Sequence, residues 1–243
     1  MTEDEPGESD EGDRANRTGR SGSGTRPITE AVLLCGGRGT RLGGDVEKPL
    51  VEVDGVATVD RVLDALADSR VERVVAVSSP HTQETTRHLW DRASTPTGRF
   101  GIALDVRVGD GDGYVADLDH GLNAVDGPAV TVVADLPLLR SADVDAAIEA
   151  AVTGDGPVSG EGTDPADGAV SSITVCVPAE TKRELGVSVD SAFDHGATTL
   201  APTGVNVVAD ARDRIVVRRR RSLAVNVNRP GDLDVARRLA RRR

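Results

Sequence analysis

Aromatic side chains are nearly absent from this chain of 243 residues: they make up 2% of it, as one Trp, one Tyr and two Phe. Proteins that bind single-stranded nucleic acid stack the bases on exposed aromatic rings, so this composition argues against such a surface. Long apolar runs are missing as well, because no stretch approaches the roughly 20 residues that a bilayer-spanning helix needs. The N-terminus has no apolar segment typical of a secretory signal, so the sequence predicts a cytoplasmic protein.

Cysteine and lysine are equally scarce. Cys35 and Cys176 lie inside apolar runs, which favours small buried side chains in a reducing compartment over a disulfide or a metal site. Only Lys48 and Lys182 are lysines, and every other basic residue is Arg. The formal charge of −11 leaves no broad basic face for nucleic acid phosphates. High acidity with almost no lysine also suggests a high-salt host, such as a halophilic archaeon, where carboxylates keep the surface hydrated.

The chain divides at residue 27 into a tail and one folded domain. Residues 1–27 have hardly an apolar side chain, so burial cannot offset the entropy of ordering them, and we predict a disordered acidic tail. Residues 28–243 show no internal boundary and are expected to form a single domain. Within them, residues 154–168 are rich in Gly, Asp and Pro and are interpreted as a surface loop.

Short apolar runs alternate with segments of helical periodicity throughout this domain. Strands are predicted at 31–35, 50–53, 71–77, 102–108, 129–134, 173–177, 205–208, 215–217 and 222–227, and helices at 59–66, 81–92, 114–124, 142–152 and 231–242. Apolar strands between helices are typical of a parallel sheet that is covered on both faces. The sequence therefore predicts an α/β fold, a Rossmann-like three-layer sandwich with a mainly parallel sheet.

The segment LLCGGRGTRLGGDVEKPL, residues 33–50, follows the first predicted strand, which is where open α/β sheets bind ligands. It is not a Walker A loop, because Asp45 stands where lysine belongs, and it misses the dinucleotide fingerprint because Leu42 stands where the third glycine belongs. Its glycines let backbone N–H groups approach an anion. Basic side chains that can bind phosphates accompany them: Arg38, Arg41 and Lys48. The pattern indicates a phosphate-binding loop rather than a solvated glycine turn.

This loop resembles the signature loop of the nucleotidyltransferases related to the molybdenum-cofactor guanylyltransferases and the sugar-phosphate nucleotidylyltransferases, which carry L-x-G-G-x-G-T-R-[ML]-G…K-P-L. Cys35 occupies the small-residue position, usually alanine, before the two glycines. Three further segments narrow the resemblance to the archaeal GTP:adenosylcobinamide-phosphate guanylyltransferase family: GDGYVADLDHGL at 111–122, VVADLPLL at 132–139 and LAVNVNRPGDLDVA at 223–236. The resemblance extends over residues 30–240.

The resemblance implies catalytic residues and a divalent cation, usually Mg²⁺. Arg41 and Lys48 would act on the phosphates, and Asp135, at the end of the predicted strand 129–134, would hold the cation. Asn226 and Asn228 alternate with valines on a predicted strand, so both should point to one face, where they would complete the metal site. Two alternatives stay open: Asp135 would cap the next helix instead, and Asn228 would cap the last helix.

The resemblance also implies where the nucleotide lies. Gly113, Tyr114 and Asp117 open a predicted helix, and the Asp117 carboxylate could accept two N–H donors from a guanine edge, a donor pair that adenine lacks. The alternative for Asp117 is a helix cap. The candidate nucleotide-binding residues are Leu34, Gly36, Gly37, Gly39, Thr40, Ser79, Pro80, Gly113 and Asp117.

The implied reaction transfers GMP from GTP to adenosylcobinamide phosphate in cobalamin biosynthesis and releases pyrophosphate. The expected partners are these two substrates, and neither nucleic acid nor a membrane. The acceptor phosphate is mostly ionised at neutral pH, since its second pKa is about 6, so no histidine is needed as a general base. Two alternatives stay open: the same chemistry with molybdopterin or a sugar phosphate as acceptor, and a non-catalytic nucleotide-binding regulatory protein. The presence of Arg41, Lys48 and Asp135 argues against the second.

Overall fold

The structure, a computed structural model, describes residues 27–43, 46–94, 102–155, 169–209 and 211–242. Apart from Pro27, the predicted tail lies outside the described residues, as does the predicted loop beyond residue 155. The strands are β1 (Glu30–Leu34), β2 (Glu52–Val53), β3 (Val56–Ala57), β4 (Arg73–Ser78), β5 (Ala103–Val108), β6 (Ala129–Val133), β7 (Ser171–Pro178), β8 (Phe193–His195), β9 (Thr198–Val208) and β10 (Ala211–Val217). The helices are α1 (Thr58–Ala67), α2 (Gln83–Ala93), α3 (Tyr114–Leu122), α4 (Ser141–Thr153), α5 (Ala179–Leu185), α6 (Arg221–Ala224) and α7 (Pro230–Ala240).

Eight strands form one sheet in the order β10–β7–β9–β6–β1–β4–β5, with β8 paired to β9. Adjacent strands in the series β6–β1–β4–β5 are parallel, and β7 is parallel to β10. In contrast, β9 runs antiparallel to β6, β7 and β8. The predicted α/β fold with a mainly parallel sheet is confirmed, with β9 as the reversed strand. Because β1, β4 and β6 are parallel, the loops that follow them meet at one edge of the sheet, where open α/β sheets bind ligands.

Helices cover both faces of the parallel half of the sheet. Ala31 and Leu33 join a buried core shared with α1 and α4, whereas Val32 and Val77, on the opposite face, pack against α3. A Cβ atom on Gly121 of α3 would stand 2.3 Å from Cγ1 of Val32, so glycine is required for α3 to lie this close to β1. This close packing brings the first turn of α3 beside the carboxyl ends of β1 and β4.

The prediction of a strand at residues 222–227 is wrong. These residues form α6 and then an extended segment that joins no sheet among the described residues. Val225 and Val227 are buried in a second apolar cluster against α7, and the Val227 N–H donates to the carbonyl oxygen of Asp135 at 2.9 Å. The alternation of apolar residues therefore reflects burial at the end of the sheet and not a strand ladder.

The prediction of a strand at residues 50–53 is also wrong in part. This segment divides into a 3-10 turn at Lys48–Leu50 and the hairpin of β2 and β3. Asp54 and Gly55 take positive φ angles of 55° and 75°, as a tight hairpin turn requires. The helix α5 and the strand β8 were not predicted from the sequence. Within the described ranges, no helix combines the length and the apolar character needed to cross a membrane.

Candidate active site

The glycine-rich loop after β1 packs against the side chain of Lys48. A Cβ atom on Gly39, whose φ is 70°, would stand 3.0 Å from Lys48 Cβ, and one on Gly37 would stand 3.4 Å from Lys48 Cδ. At Gly39 an L side chain would be both crowded and strained. These glycines therefore leave the room in which the Lys48 side chain runs along the loop towards the end of the sheet.

The neighbours of Lys48 fix its backbone. The Glu47 carboxylate accepts the N–H groups of Glu84 and Thr85 at 3.0 and 2.7 Å, and so satisfies two free donors in the first turn of α2. On the other side, Thr58 Oγ1 donates to the Pro49 carbonyl oxygen at 2.9 Å. The Glu-Lys-Pro segment is thus tied to α1 and α2, which directs the Lys48 ammonium inward.

The Lys48 ammonium lies at the centre of the site. It donates to Asp135 Oδ2 and to Asn228 Oδ1, each at 2.5 Å, although these partners are 87 and 180 positions away in the chain. Asp135 follows β6 as predicted, and its side chain is only 13% exposed. The structure therefore brings together three of the predicted site residues at the carboxyl edge of the sheet.

Asn226 contacts the other oxygen of the same carboxylate. Its Nδ2 donates to Asp135 Oδ1 and to the Thr203 carbonyl oxygen, both at 2.9 Å, and its Oδ1 accepts from Lys182 Nζ at 2.7 Å. Because a lysine ammonium can only donate, this contact determines which end of the amide faces which partner. Asn226 thus orients Asp135 through its nitrogen while its oxygen is engaged by Lys182, which differs from the direct metal contact predicted for it.

The capping alternatives do not account for Asp135 or Asn228. The last helix is capped by Asp232, whose Oδ2 accepts the N–H groups of Asn228 and Arg229 at 3.1 and 2.8 Å. The helix that follows Asp135 is capped by Asp143, which accepts the Arg140 N–H at 3.2 Å. The side chains of Asp135 and Asn228 are directed to Lys48 instead.

Asp135 Oδ2 and Asn228 Oδ1 form an oxygen pair that already faces a cationic group, the Lys48 ammonium. Mg²⁺ in nucleotide sites takes one or two carboxylates together with phosphate oxygens and waters. Across the described ranges, no group of three or more His, Cys, Asp or Glu side chains is arranged to hold a metal by itself. Asp135 and Asn228 could therefore hold a cation, provided that the phosphates of a nucleotide complete its ligands.

Two cavities meet at Asp135. Their volumes are about 270 and 770 Å³, and both are lined by Tyr114, Val133 and Asp135. The smaller cavity is also lined by Leu34, Gly36, Gly37, Lys48, Gly113 and Asp117. The larger cavity lies over β6, β9, β7 and β10 and is also lined by Thr131, Ser172, Lys182, Asn206, Asn226 and Asn228. The site thus has room for one ligand on each side of the Asp135 carboxylate.

The Asp117 carboxylate is buried between two glycines. The residue is 5% exposed, and Cβ atoms on Gly36 and Gly109 would stand 2.4 and 2.3 Å from its two oxygens. Its Oδ1 has no hydrogen-bond partner among the described residues, and burial raises the pKa of the carboxyl group. The N–H of Asp117 donates to the carbonyl oxygen of Gly113, the residue that precedes α3 and has a φ of 104°. No capping bond to the side chain is present in this described turn, so the cap alternative fails and a buried acceptor stands at the wall of the smaller cavity.

Other predicted residues lie further out. Arg41 has 66% of its side chain exposed and does not belong to the described lining of either cavity, although it pairs at 3.4 Å with Asp190, which lines the larger one. Thr40 and Pro80 are exposed as well. Ser79 is buried behind the loop, where its Oγ accepts the His81 N–H at 3.3 Å. The structure therefore does not bring Arg41 to Lys48 and Asp135.

Sequence reasoning missed two contributors to the site. Glu47 stands in the signature loop, but its capping role depends on α2, whose packing beside the loop is not visible from the motif. Lys182 is buried at the larger cavity, and this burial lowers its pKa against the opposing effect of carboxylates that include Asp135. The scarcity of lysine could have pointed to Lys182, since it is one of only two lysines in the chain.

The α/β sheet, the glycine-rich loop at the carboxyl end of its β1 strand and the Lys48–Asp135 pair define a nucleotidyltransferase. A model of the MobA-like NTP transferase domain matches residues 31–165, and the chain belongs to this family.

Two relatives extend the likeness to nearly the whole domain. The chain is 26% identical over 211 residues to the adenosylcobinamide-phosphate guanylyltransferase of Methanocaldococcus jannaschii, which covers 85% of this chain and 95% of that protein. The solved structure of the inositol-1-phosphate CTP transferase from T. maritima superposes with a TM-score of 0.58 at 14% identity, over 87% of this chain and 96% of that one. The structural likeness concerns the fold alone.

Proposed function

We propose that this protein transfers GMP from GTP to adenosylcobinamide phosphate, giving adenosylcobinamide-GDP and pyrophosphate in cobalamin biosynthesis. The observation that carries this choice of substrates is the 26% identity to the guanylyltransferase of that name, which extends over 95% of the relative. Two cavities that share Asp135 support a reaction between two bound phosphate compounds. We infer that residues 28–243 form the catalytic domain and that residues 1–27 are an acidic tail.

The proposed chemistry needs no protein base. An oxygen of the acceptor phosphate attacks the α-phosphorus of GTP, a new P–O bond forms, and the bond between the α-phosphorus and the bridging oxygen breaks as pyrophosphate leaves. Because the attacking phosphate is already ionised at neutral pH, no proton has to be removed first. The protein then acts by aligning the two phosphates and neutralising their charge.

The glycine-rich loop and the Lys48 side chain would bind the triphosphate. The backbone N–H groups from Gly36 to Gly39, together with Thr40, would face the phosphates, and Arg41 would join them by leaving Asp190. Lys48 would bridge the transferred phosphoryl group and the attacking phosphate. This role is supported by its inward direction and its compact, flexible ammonium.

A divalent cation would be held by Asp135 and Asn228, with Asn226 orienting the carboxylate. Such a cation supplies Lewis-acid polarisation of a phosphoryl oxygen when it is bound. Lys48 now occupies the space between the two oxygens, so it would move towards the phosphates when nucleotide and cation bind. Asp135 therefore stays neutralised in both states.

The guanine base would lie in the smaller cavity, which Leu34 and Gly113 line, with Ser79 and Pro80 beyond that lining. The unpaired Oδ1 of Asp117 supports this placement, because a buried acceptor without a donor is rare in folded proteins. A small movement of the carboxylate would let it accept the two N–H donors of guanine. This contact would favour GTP over ATP.

Molybdopterin or a sugar phosphate remains the second candidate acceptor. The T. maritima structure is named for an inositol phosphate, so the fold accommodates a polyol phosphate in that protein. A purely regulatory nucleotide-binding role is less well supported, since the Lys48–Asp135 pair is present and joined.

The deciding experiment supplies the purified protein with Mg²⁺, one nucleotide and one acceptor, and measures pyrophosphate release. We expect release with GTP and adenosylcobinamide phosphate, and little with ATP, molybdopterin or sugar phosphates in their place. Equal rates with a sugar phosphate would transfer the assignment to that acceptor. No release with any acceptor, from protein that binds GTP, would favour the regulatory role.

A further inference from the structure

The two lysines of the chain lie on opposite sides of one carboxylate. Lys48 Nζ contacts Asp135 Oδ2 directly, and Lys182 Nζ reaches Asp135 Oδ1 through the Asn226 amide. Lys48 lines the smaller cavity, whereas Lys182 lines the larger one. In a chain whose remaining basic residues are all Arg, both compact ammonium groups are therefore found at this junction.

Lys182 is buried without a direct counter-ion. It lies in α5, immediately after β7, and is 4% exposed. Its hydrogen bond within the described structure is the 2.7 Å contact with Asn226 Oδ1, and no described carboxylate lies within ion-pair distance of it. A lysine ammonium has three donors, and burying a charge that is not fully paired is costly. At the wall of a cavity of about 770 Å³, this arrangement leaves donors free for an anion.

The acidic groups around Lys182 already have other partners. Asp190 also lines the larger cavity, but its carboxylate accepts from Arg229 Nη2 at 2.6 Å and from Arg41 Nη1 at 3.4 Å. Asp135 in turn is held by Lys48 and Asn226. The third carboxylate, Asp232, accepts from Ser188 and from the N–H groups of Asn228 and Arg229. Each of these carboxylates therefore bonds to other donors, and the Lys182 ammonium keeps donors that none of them takes up.

We propose that Lys182 binds the phosphomonoester of the acceptor substrate in the larger cavity, opposite the Lys48 side of Asp135. This inference rests on the proposed function and extends it, because it names the group that receives the second anion. The reaction brings a phosphate dianion towards a triphosphate, and the repulsion between them must be offset on both sides. Lys48 bridges the two phosphates from the nucleotide side, and Lys182 holds the attacking phosphate from the other side, within reach of the α-phosphorus.

The test compares Lys182→Met with wild type and with Arg183→Met, which removes an exposed cation from the next position of the same helix. Initial rates are measured against adenosylcobinamide phosphate and against GTP. We expect the KM for the acceptor to rise about 10- to 100-fold in Lys182→Met, as expected for losing a charge-assisted hydrogen bond, with the KM for GTP within about twofold. Arg183→Met should match wild type. Lys182→Arg should recover part of the acceptor affinity.

A second measurement does not depend on which acceptor is used. Inorganic phosphate is titrated by calorimetry into wild type and Lys182→Met after the nucleotide side has been filled with a non-hydrolysable GTP analogue. We expect wild type to bind phosphate and Lys182→Met to bind it at least tenfold more weakly. If adenosylcobinamide phosphate is not a substrate but this difference is present, the proposed acceptor is wrong and the Lys182 site stands.

Two results would overturn the role of Lys182. One is an unchanged acceptor KM and unchanged phosphate affinity in Lys182→Met. The other is a lower kcat with a shifted Mg²⁺ requirement and both KM values unchanged, which would show that Lys182 acts on Asp135 through Asn226. If Lys182→Met does not fold, a wild-type crystal soaked in tungstate decides the matter: an ion within hydrogen-bond distance of Lys182 Nζ is required, and an ion bound only elsewhere refutes the site.

Discussion

The ammonium of Lys48 bonds to the carboxylate of Asp135 at 2.5 Å, although the two residues are 87 positions apart. Both side chains are largely buried, with 17% and 13% of their surfaces exposed. A buried pair of this kind neutralises both members, and removing one partner leaves the other charge exposed to a low-dielectric surrounding. The pair therefore connects the signature loop to the end of β6, and each member can be tested separately.

Replacement of Lys48 tests the loop side of the pair. We expect Lys48→Ala to lower kcat by about 10²- to 10³-fold, the loss typical of removing a group that stabilises developing charge. The fold should persist, because Asn226 still bonds to Asp135. Pyrophosphate release at saturating GTP measures the rate, and thermal melting followed by circular dichroism checks folding.

The matched control for this variant is Arg87→Ala, which removes an exposed cation that pairs with Glu84 on the surface of α2. It should retain full activity, since exposed ion pairs contribute little. Activity of Lys48→Ala within a fewfold of wild type would refute the proposed role of Lys48 in phosphate transfer.

Replacement of Asp135 tests the cation side. We expect Asp135→Asn to raise the Mg²⁺ concentration for half-maximal rate by about tenfold or more and to lower the maximal rate, because the remaining amide oxygens bind a hard cation weakly. The measurement is a Mg²⁺ titration of the initial rate. Asp194→Asn, at an exposed carboxylate of β8 outside the described lining of both cavities, is the control and should titrate like wild type. Superimposable titration curves for Asp135→Asn would exclude Asp135 as a metal ligand.

Glu47 tests whether docking of the loop on α2 positions Lys48. In Glu47→Ala the N–H groups of Glu84 and Thr85 lose their acceptor, so the free energy of unfolding should fall by about 1 kcal/mol, as for loss of a helix cap. The rate should fall as well, because the backbone beside Lys48 is released. Denaturant unfolding and initial rates measure the two effects. Glu84→Ala, which removes only an exposed ion pair with Arg87, should change neither quantity. An unaltered rate in Glu47→Ala would show that docking of the loop on α2 does not affect catalysis.

The meeting of the central pair was predictable from the sequence, because Lys48 belongs to the loop that follows β1 and Asp135 follows the apolar strand β6. The ends of parallel strands share one edge of the sheet, so a loop after β1 and an aspartate after β6 had to meet there. Asn226 and Asn228 were predicted to converge, and they do so from an extended segment that is fixed by the Val227 N–H bond to Asp135, not from a strand. The prediction that both side chains point the same way is therefore correct, but the segment that carries them is not a strand of the sheet.

The rest depends on contacts between distant segments. Lys182 lies in a helix of seven residues, too short for a clear periodic pattern, and its partner Asn226 is 44 positions away. Arg41 was predicted from the motif to contact phosphate, but in the described structure it is held at the rim by Asp190, which the motif does not include. Local spacing identifies residue types at a strand end, whereas burial and pairing across the chain decide where each side chain points.

Asp117 offers the last test, because selectivity for the base and stability should change in opposite directions. Its raised pKa means that the native state holds the proton more tightly than the unfolded chain, whose carboxyl group has the ordinary value of 3.8. The free energy of unfolding therefore falls as the pH rises from 3.8 through the raised value, and the full penalty is present above that value. Asp117→Asn removes this ionisation, so it should be more stable than wild type at neutral pH, with a difference that shrinks on acidification.

The same substitution should reduce the preference for GTP over ATP by about tenfold or more, since the carboxylate no longer accepts from guanine. Denaturant unfolding across a pH series measures the stability, and kcat/KM for the two nucleotides measures the selectivity. Asp119→Asn, at an exposed position of the same helix, should alter neither. An unchanged GTP-to-ATP ratio in Asp117→Asn would exclude base recognition by this residue, whereas lower stability at neutral pH would mean that its buried carboxylate stabilises the fold.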